Sequence, residues 1–338
     1  MRQFFVRRWF LLVLGLLLAV GFAFHGQLDP LRAMVRQEPI VAAILFLMAL
    51  PLEAGAMWRA MRRPRAVLLA VAINFGLLPL VAWPVSLLLW PADLAVGLLI
   101  AASVPSTLAS AAVWTRRAGG NDSVALLVMM ITNVSCFLVT PMLVLVMTGA
   151  HKELPKSPGE MIVSLALWCV LPVIVAQLLR LWRPLGAWAT RHKAPLGVVA
   201  QGGILSIVLM GAIVAGQRLA ALPPGEPGAG AWLAMLAAVV AVHLSMLAAG
   251  HLLGRWLGLS REDRIAVGFA GSQKTLMVGL HLANTFGGLA ILPMVAYHVC
   301  QLLVDTVIAD RLLKGGAQSP ASDLEAPLNE ADGALPDV

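Results

Sequence analysis

Ten apolar segments, each close to the length of a membrane-spanning helix, divide most of this 338-residue sequence. A helix needs about 20 apolar residues to cross the hydrocarbon core of a bilayer. With 60% hydrophobic and 12% charged residues, the chain is also far more apolar than a soluble globular domain. The pattern therefore predicts an all-α polytopic membrane protein and excludes a cytosolic enzyme. The predicted spans are 9–24, 40–58, 66–90, 95–116, 123–148, 160–180, 196–217, 231–254, 265–285 and 288–310.

The distribution of Lys and Arg predicts the orientation of these spans. If the N-terminus is cytoplasmic, most of the 24 Lys and Arg residues fall in cytoplasmic segments, as the positive-inside rule requires. Both termini are then cytoplasmic, and the expected location is a bacterial inner (plasma) membrane. The basic residues before the first span are also typical of a signal peptide, with a cleavage point near 21–23. We favour a retained first span because it completes two equal halves of the chain.

The chain reads as two halves of five spans each, separated by the loop at 151–159. Because five is odd, the second half begins on the opposite side of the membrane from the first. Two similar halves would therefore form inverted repeats, an architecture that recurs in transporters. We predict a membrane domain over 1–314, with repeat one at about 9–148 and repeat two at about 160–314. The acidic tail, 315–338, has few large apolar residues and is predicted to be disordered.

The fourth span of each half contains helix-breaking residues at its centre. Pro105 follows Val104 among Ser and Thr residues in span four, whereas Gly268 and Gly271 precede Ser272 in span nine. Proline lacks a backbone N–H and disfavours helix at the residue before it, and glycine weakens a helix locally. Interrupted spans at matching positions of two halves indicate a transport site. The alternative is a pair of kinked structural helices that use small residues for close packing.

A lysine lies near the middle of span nine. Lys274 follows Arg264 by ten residues, or about 15 Å along a helix, which places it near the bilayer midplane. Ionisable residues at that depth are costly and usually functional. The alternative is a lysine that backbone carbonyls satisfy at a kink. Polar residues of spans three, four, five and ten reach a similar depth or lie beside it. The candidate substrate- or ion-binding residues are Asn74, Ser106, Thr107, Ser110, Thr132, Asn133, Gln273, Lys274, Thr275, His298 and Gln301.

Several stretches resemble the bile acid:sodium symporter family, and in particular its bacterial, bile acid:sodium symporter-like branch. They are GLSREDR at 258–264, FAGSQKTL at 269–276, YHVCQL at 297–302, NFGLLP at 74–79 and GGN at 119–121. The resemblance covers about 5–314. It implies ten helices in two inverted repeats of five, with helices four and nine unwound and crossing, and with a panel domain beside a core domain. It also implies secondary transport of organic anions by alternating access.

The resemblance carries over only part of the family's sodium site. The sodium-coupled members use an amide in span three, which matches Asn74, and a Ser-Asn pair in span four, which matches Ser110 but meets Ala111 here. They use a Glu and a Gln in span nine, which fall on Phe269 and Gln273. The hydroxyl ligands of span five fall on Ala125 and Met129. No metal ligand is assigned with certainty, and sodium, the one cofactor considered, has Asn74, Ser110 and Gln273 as candidate ligands.

These observations predict a secondary active transporter of a small organic anion, coupled to sodium or to protons, and not an enzyme. We expect the Lys274 ammonium to replace a bound sodium ion; alternatively, Lys274 itself carries a proton. A regulator or assembly factor that retains the fold without transporting is the second hypothesis. The chain has no Gly-x-Ser-x-Gly, His-Glu-x-x-His or P-loop motif. The expected partners are the anion and the lipid bilayer, not nucleic acid, and the oligomeric state stays open.

Overall fold

The computed structural model describes residues 2–52, 61–108, 110–149 and 157–317. All regular secondary structure in these ranges is helical. In chain order the helices are α1 Arg2–Ala23, α2 His25–Met34, α3 Gln37–Ala49, α4 Pro64–Ser86, α5 Ala92–Ser103, α6 Ser110–Arg117, α7 Asp122–Thr148, α8 Pro158–Arg180, α9 Arg183–Arg191, α10 Lys193–Ala220, α11 Ala229–Trp256, α12 Arg261–Ser272, α13 Leu276–Phe286 and α14 Ile291–Ala317.

Six helices in the described part of the chain are long and apolar enough to cross a membrane: α4, α7, α8, α10, α11 and α14. A seventh span results if α1 and α2, which meet at a bend of 106°, are counted together. The apolar helices α3 and α5 are shorter. The structure is therefore that of a polytopic membrane protein. The predicted span at 40–58 continues beyond Ala49 into residues outside the described part of the chain.

Local sequence signals mark where several helices begin. Ser157 and Glu160 form a capping box at the start of α8, in which each side chain bonds the backbone N–H of the other residue. The Ser260 side chain accepts a hydrogen bond from the backbone N–H of Asp263 and caps α12. The last helix, α14, continues to Ala317, so the first three residues of the predicted tail 315–338 are helical; the rest of that tail lies outside the described residues.

The helices pack in two sets. In one set, α1 and α3 pack against α10, and α8 packs against α3. In the other, α4, α6, α7 and α11 surround α12, while α14 packs against α5, α11 and α13. Contacts between the sets include those of α13 with α3 and α10 and that of α8 with α7. Helices α11 and α12 pack closely, since a Cβ added to Gly250 would lie 2.8 Å from the Gly268 Cα atom.

Candidate functional site at the crossing of two broken helices

Two interrupted helices meet inside the second set. Helix α5 ends at Ser103 and α6 begins at Ser110, while α12 ends at Ser272 and α13 begins at Leu276. The backbone turns extended at both interruptions, with ψ of 160° at Val104 and 145° at Gln273. The Thr275 N–H donates a hydrogen bond of 2.8 Å to the Pro105 carbonyl. The two interruptions therefore contact each other directly, and we call their meeting point the crossing.

Lys274 lies at the crossing and is fully buried. Its ammonium donates to the main-chain carbonyls of Asn74 at 2.7 Å and Val104 at 2.8 Å, and to Asn74 Oδ1 at 3.2 Å. It also lies 5.7 Å from the centre of the Phe75 ring, within cation–π range. These partners are all neutral groups. The positive charge is therefore stabilised by the Asn74 oxygens and the Phe75 ring of α4, and by the Val104 carbonyl in the interruption after α5.

Asn74 connects α4 to the end of α12. It lies in a single π-helical turn, Ile73–Leu77, a local widening that is frequent at functional sites. Its Nδ2 group faces the carbonyls of Ala270 at 3.3 Å, Gly271 at 3.2 Å and Gln273 at 3.1 Å. These carbonyls lie at or just beyond the last turn of α12, where helical partners are missing. Asn74 thus binds carbonyls of α12 with its amide nitrogen and Lys274 with its oxygen.

Gln273 bridges the interrupted helices to α14. Its Oε1 atom accepts from the hydroxyls of Thr107 at 2.7 Å and Ser110 at 2.8 Å. Its Nε2 group donates to the Asp305 carboxylate at 2.5 Å. The second carboxylate oxygen of Asp305 lies 2.8 Å from Nε2 of His243. A continuous chain of hydrogen bonds therefore runs from the hydroxyls of the first interruption to a buried imidazole on α11.

The remaining candidates fix the backbone of the interruptions. The Gln301 side chain accepts from the Lys274 N–H at 2.9 Å and donates to the Lys274 carbonyl at 3.0 Å. Gln301 Nε2 also lies 3.0 Å from Nδ1 of His298. On α7, Asn133 donates to the Ser106 carbonyl at 2.8 Å, and the Thr132 hydroxyl accepts from the Ser106 N–H at 3.3 Å. Side chains of α7 and α14 thus replace the helical hydrogen bonds lost at the crossing.

A cavity of about 250 Å³ opens beside the crossing, between the two sets of helices. Thr107, Ser110, Thr275 and His298 line it from the crossing side. On the opposite side, the lining residues come from α1, α3 with the following Pro51, and α10. Among the described residues on that side, the charged group is Lys193, at the start of α10. The cavity wall also includes the start of α13, where backbone N–H groups have no partner within the helix. Such helix N-termini favour anions.

The three candidate sodium ligands do not form a site of oxygen atoms. Asn74 presents its amide nitrogen to the α12 carbonyls, and its Oδ1 atom accepts from Lys274. Gln273 Oε1 is occupied by two hydroxyl donors, one of them from Ser110. Phe269, which stands where the family has a carboxylate, packs in a small apolar cluster with Ala118, Ile265 and Ala309. The side chains here therefore fit a bound ammonium better than a bound sodium ion.

All eleven candidate residues lie around the crossing. Ser106 bonds Thr132 and Asn133 on the α7 side, and the others belong to the hydrogen-bond network of Lys274 and Gln273 or line the cavity. The prediction missed three others: His243, Tyr297 and Asp305. The Tyr297 hydroxyl and the His243 ring both approach the Ser272 carbonyl, at 2.9 Å and 3.4 Å. An ionisable residue inside an apolar span is a functional signal on its own. That rule applies to His243 on α11 and Asp305 on α14, which counting along the helices had placed away from the midplane, but it does not cover Tyr297.

Sequence comparisons identify related proteins. The sequence model of the SBF-like CPA transporter family matches residues 8–314. A Pseudomonas aeruginosa protein called uncharacterized is 31% identical over 85% of this chain and 87% of its own length. A Bacillus subtilis protein named as an uncharacterized sodium-dependent transporter is 28% identical over 90% of this chain and 92% of its own. The mouse (Mus musculus) protein named sodium/bile acid cotransporter 7 is 24% identical, covering 89% and 91%.

Proposed function

Because this chain belongs to the SBF-like CPA transporter family, we propose that it is a secondary active transporter of a small organic anion that works by alternating access. Membership makes it an integral membrane transporter rather than an enzyme, and the relatives are named as sodium-dependent transporters and bile acid cotransporters. To family membership, the proposal adds that the substrate is a negatively charged organic molecule and that transport proceeds by alternating access. It rests on one observation, the cavity beside the crossing.

The proposed architecture has ten spans in two inverted repeats within residues 1–314. The spans correspond to α1, α3, α4, α5 with α6, and α7 in repeat one, and to α8, α10, α11, α12 with α13, and α14 in repeat two. The set that contains α1, α3, α8 and α10 is the panel domain, and the set around the crossing is the core domain. The contacts within each set support this division; between the sets, α13 contacts α3 and α10, and α8 contacts α7.

The substrate would bind in the cavity with its negative group near the start of α13. The start of α13, Thr275 and Lys193 line the cavity, and they carry backbone N–H groups, a hydroxyl and an ammonium. These groups donate hydrogen bonds or carry positive charge, and they suit a carboxylate or sulfonate. The apolar lining residues, among them Leu47, would contact the organic part of the anion. This lining is the reason to choose an organic rather than an inorganic anion.

Lys274 would take the place of a coupling cation at the crossing. Ends of half-helices and freed carbonyls attract positive charge at the centre of many transporters. Here that charge is the covalently attached ammonium, which already has Asn74 and Val104 oxygens around it. Coupling would then depend on another cation, sodium or a proton, or on movement of the Lys274 charge itself. The other candidate residues would hold the interrupted backbones in the geometry that this requires.

Under the proposed orientation, both termini are cytoplasmic and the membrane is a bacterial inner membrane. Lys193 then lies at the cytoplasmic side, so the cavity beside it faces inward. Alternating access would close this opening by movement of the panel against the core, with α13 at the boundary between them. The second hypothesis is a regulator that retains the fold without transporting. The cavity argues against it, because Thr107, Ser110 and Thr275 place polar groups on the crossing side, where a substrate could bind.

Uptake by purified protein in lipid vesicles tests the proposal. Benzenesulfonate, naphthalenesulfonate and taurocholate are suitable labelled probes because sulfonates stay charged and cross lipid slowly on their own. We expect at least one to accumulate when an inward sodium or proton gradient is imposed, and to exchange across the membrane without a gradient. A regulator would show neither accumulation nor exchange. Protein-free vesicles of the same lipid serve as the matched inactive preparation.

A further inference from the structure

The hydrogen-bond partners of His243 are the starting point. One ring nitrogen, Nε2, lies 2.8 Å from an Asp305 carboxylate oxygen, and the other, Nδ1, lies 3.4 Å from the Ser272 carbonyl. A carbonyl oxygen can only accept, and so can an ionised carboxylate. A neutral imidazole has one N–H and one lone pair, and would face one of the two oxygens with its lone pair. The imidazolium, which carries an N–H on both nitrogens, satisfies both.

We propose that His243 carries the coupled proton of this transporter, with Asp305 as its permanent counter-charge, and that a proton and the anion move together in the same direction. This inference rests on the proposed function. The proton would bind the Nδ1 lone pair from water on one side of the membrane and leave to water on the other. It requires no redox partner and no metal ion.

The position of the Ser272 carbonyl connects His243 to the crossing. Ser272 is the last residue of α12, immediately before Gln273 and Lys274. When His243 carries the second proton, its Nδ1–H holds this carbonyl together with the Tyr297 hydroxyl. When the proton leaves, the lone pair of Nδ1 faces the carbonyl oxygen and the contact becomes repulsive. The end of α12 therefore has a different set of bonds in the two protonation states.

Charge balance links the proton to the anion. The buried charged groups at the crossing, in the part of the chain that the structure describes, are Lys274, Asp305 and His243. With His243 protonated they sum to one positive charge, and with His243 neutral they sum to zero. A buried net charge is costly unless it is paired. An organic monoanion would complete the balance in the protonated state and lose its counter-charge in the neutral state, which makes the coupled movement electroneutral.

The other titratable groups around His243 do not compete for this role. Helices α4, α12 and α14 pack against α11. The ionisable residues of α4 and α12 are confined to their first turns, at Arg65 and at 261–264. On α14, Tyr297 stacks edge-on against the His243 ring at 5.8 Å, while His298 bonds Gln301 instead. The remaining ionisable residues of α14 are Cys300 and three near its C-terminal end, at 310, 311 and 314. Besides His243, the ionisable residues of α11 are His251 and Arg255. Asp305 is thus the charged group in contact with the imidazole.

The first part of the test measures the protonation state of His243 and needs no substrate. Nitrogen-15 NMR of histidine-labelled protein in lipid distinguishes an imidazolium from a neutral ring, and His243→Gln identifies the signal by removing it. We expect the wild type to show both the imidazolium and the neutral signal of His243 across a pH series. In Asp305→Asn, which keeps a similar shape without the charge, we expect the neutral signal throughout the series. A ring that stays in one state throughout in the wild type overturns the proposal.

The second part of the test measures proton entry into dye-loaded vesicles when the labelled sulfonates are added. We expect proton entry with the anion in the wild type and in the His251→Gln control. In His243→Gln, which is always neutral at this position, accumulation driven by a proton gradient should fall by about tenfold or more, the size of a typical coupling factor. Anion uptake without proton entry in the wild type overturns the proton proposal and leaves the transporter intact. If no sulfonate enters at all, the proposed function fails and the coupling fails with it.

Discussion

The Lys274 ammonium donates a hydrogen bond of 2.8 Å to the Val104 carbonyl. One residue belongs to the interruption between α12 and α13, and the other to the interruption between α5 and α6. A single buried cation therefore joins the two broken helices at the point where both lack helical hydrogen bonds. Any movement that separates them has to break this contact or carry the lysine along.

Replacement of Lys274 by Met should abolish anion uptake and destabilise the protein. Methionine approximates the length of the side chain but leaves the Asn74 and Val104 carbonyls without their donor. An unsatisfied buried polar group costs about 1–3 kcal/mol. Thermal unfolding in detergent and vesicle uptake measure the two effects. Arg191→Gln, at an exposed position on α9, is the control that loses a positive charge elsewhere. Normal uptake by the Met variant would rule out a transport role for the lysine.

Sodium should stabilise Lys274→Ala and not the wild type. Removal of the side chain frees carbonyl oxygens and space for a cation at the crossing. A ligand that binds only the folded state stabilises it by about 2.7 kcal/mol at a concentration one hundred times its Kd. The measurement is a thermal scan with sodium titrated against choline at constant ionic strength. Stabilisation of the wild type by sodium would show that a sodium site coexists with the lysine, and the protein would then be a sodium symporter.

Substitution of Gln301 by Leu should loosen the second interruption. The amide side chain bonds both the N–H and the carbonyl of Lys274, and leucine can replace neither bond. We expect a loss of about 1–3 kcal/mol in unfolding free energy. Gln301→Glu keeps the acceptor for the Lys274 N–H and should be less destabilised at a pH where the carboxyl is protonated. Equal stability of wild type and Leu variant in thermal unfolding would contradict this role.

Lys193→Gln should weaken substrate binding without changing the turnover step. Lys193 is an exposed cation on the cavity wall, and exposed charges contribute modestly to binding. We expect KM for the transported sulfonate to rise by about two- to fivefold, as for an exposed ion pair, with kcat unchanged. Arg191→Gln, two residues earlier, removes a charge that does not line the cavity and should leave KM as it was. A larger fall in kcat than in affinity would place Lys193 in the conformational step instead.

Gly250→Ala should destabilise the contact between α11 and α12. The added Cβ would lie 2.8 Å from the Gly268 Cα atom, which is backbone and cannot move aside alone. Overpacking of this kind costs about 1–3 kcal/mol. On the same helix, a Cβ at Gly230 meets nothing within 4 Å, so Gly230→Ala should keep or slightly raise stability. Thermal unfolding of the two variants, side by side, measures the difference.

The sequence alone determined the features that depend on local composition and spacing. Apolar runs located the long helices, because any span must satisfy its own backbone in lipid. Pro105, Gly268 and Gly271 located the two interruptions, because proline and glycine weaken a helix wherever it lies. The distance from Arg264 placed Lys274 at depth, because the rise of a helix per residue is constant. These properties belong to one segment at a time.

Only the tertiary structure decided which groups face one another. It turned the nitrogen of Asn74 toward α12 and its oxygen toward Lys274, an orientation that the sequence did not indicate. It also brought His243 and Asp305 together across 62 positions of the chain, in a pair that spacing did not indicate. These pairings depend on how each helix is rotated about its axis and on the packing of α11, α12 and α14. A span that is apolar on every side has no polar stripe from which its rotation could be predicted. Packing between helices, rather than local propensity, therefore selects the residues of the site.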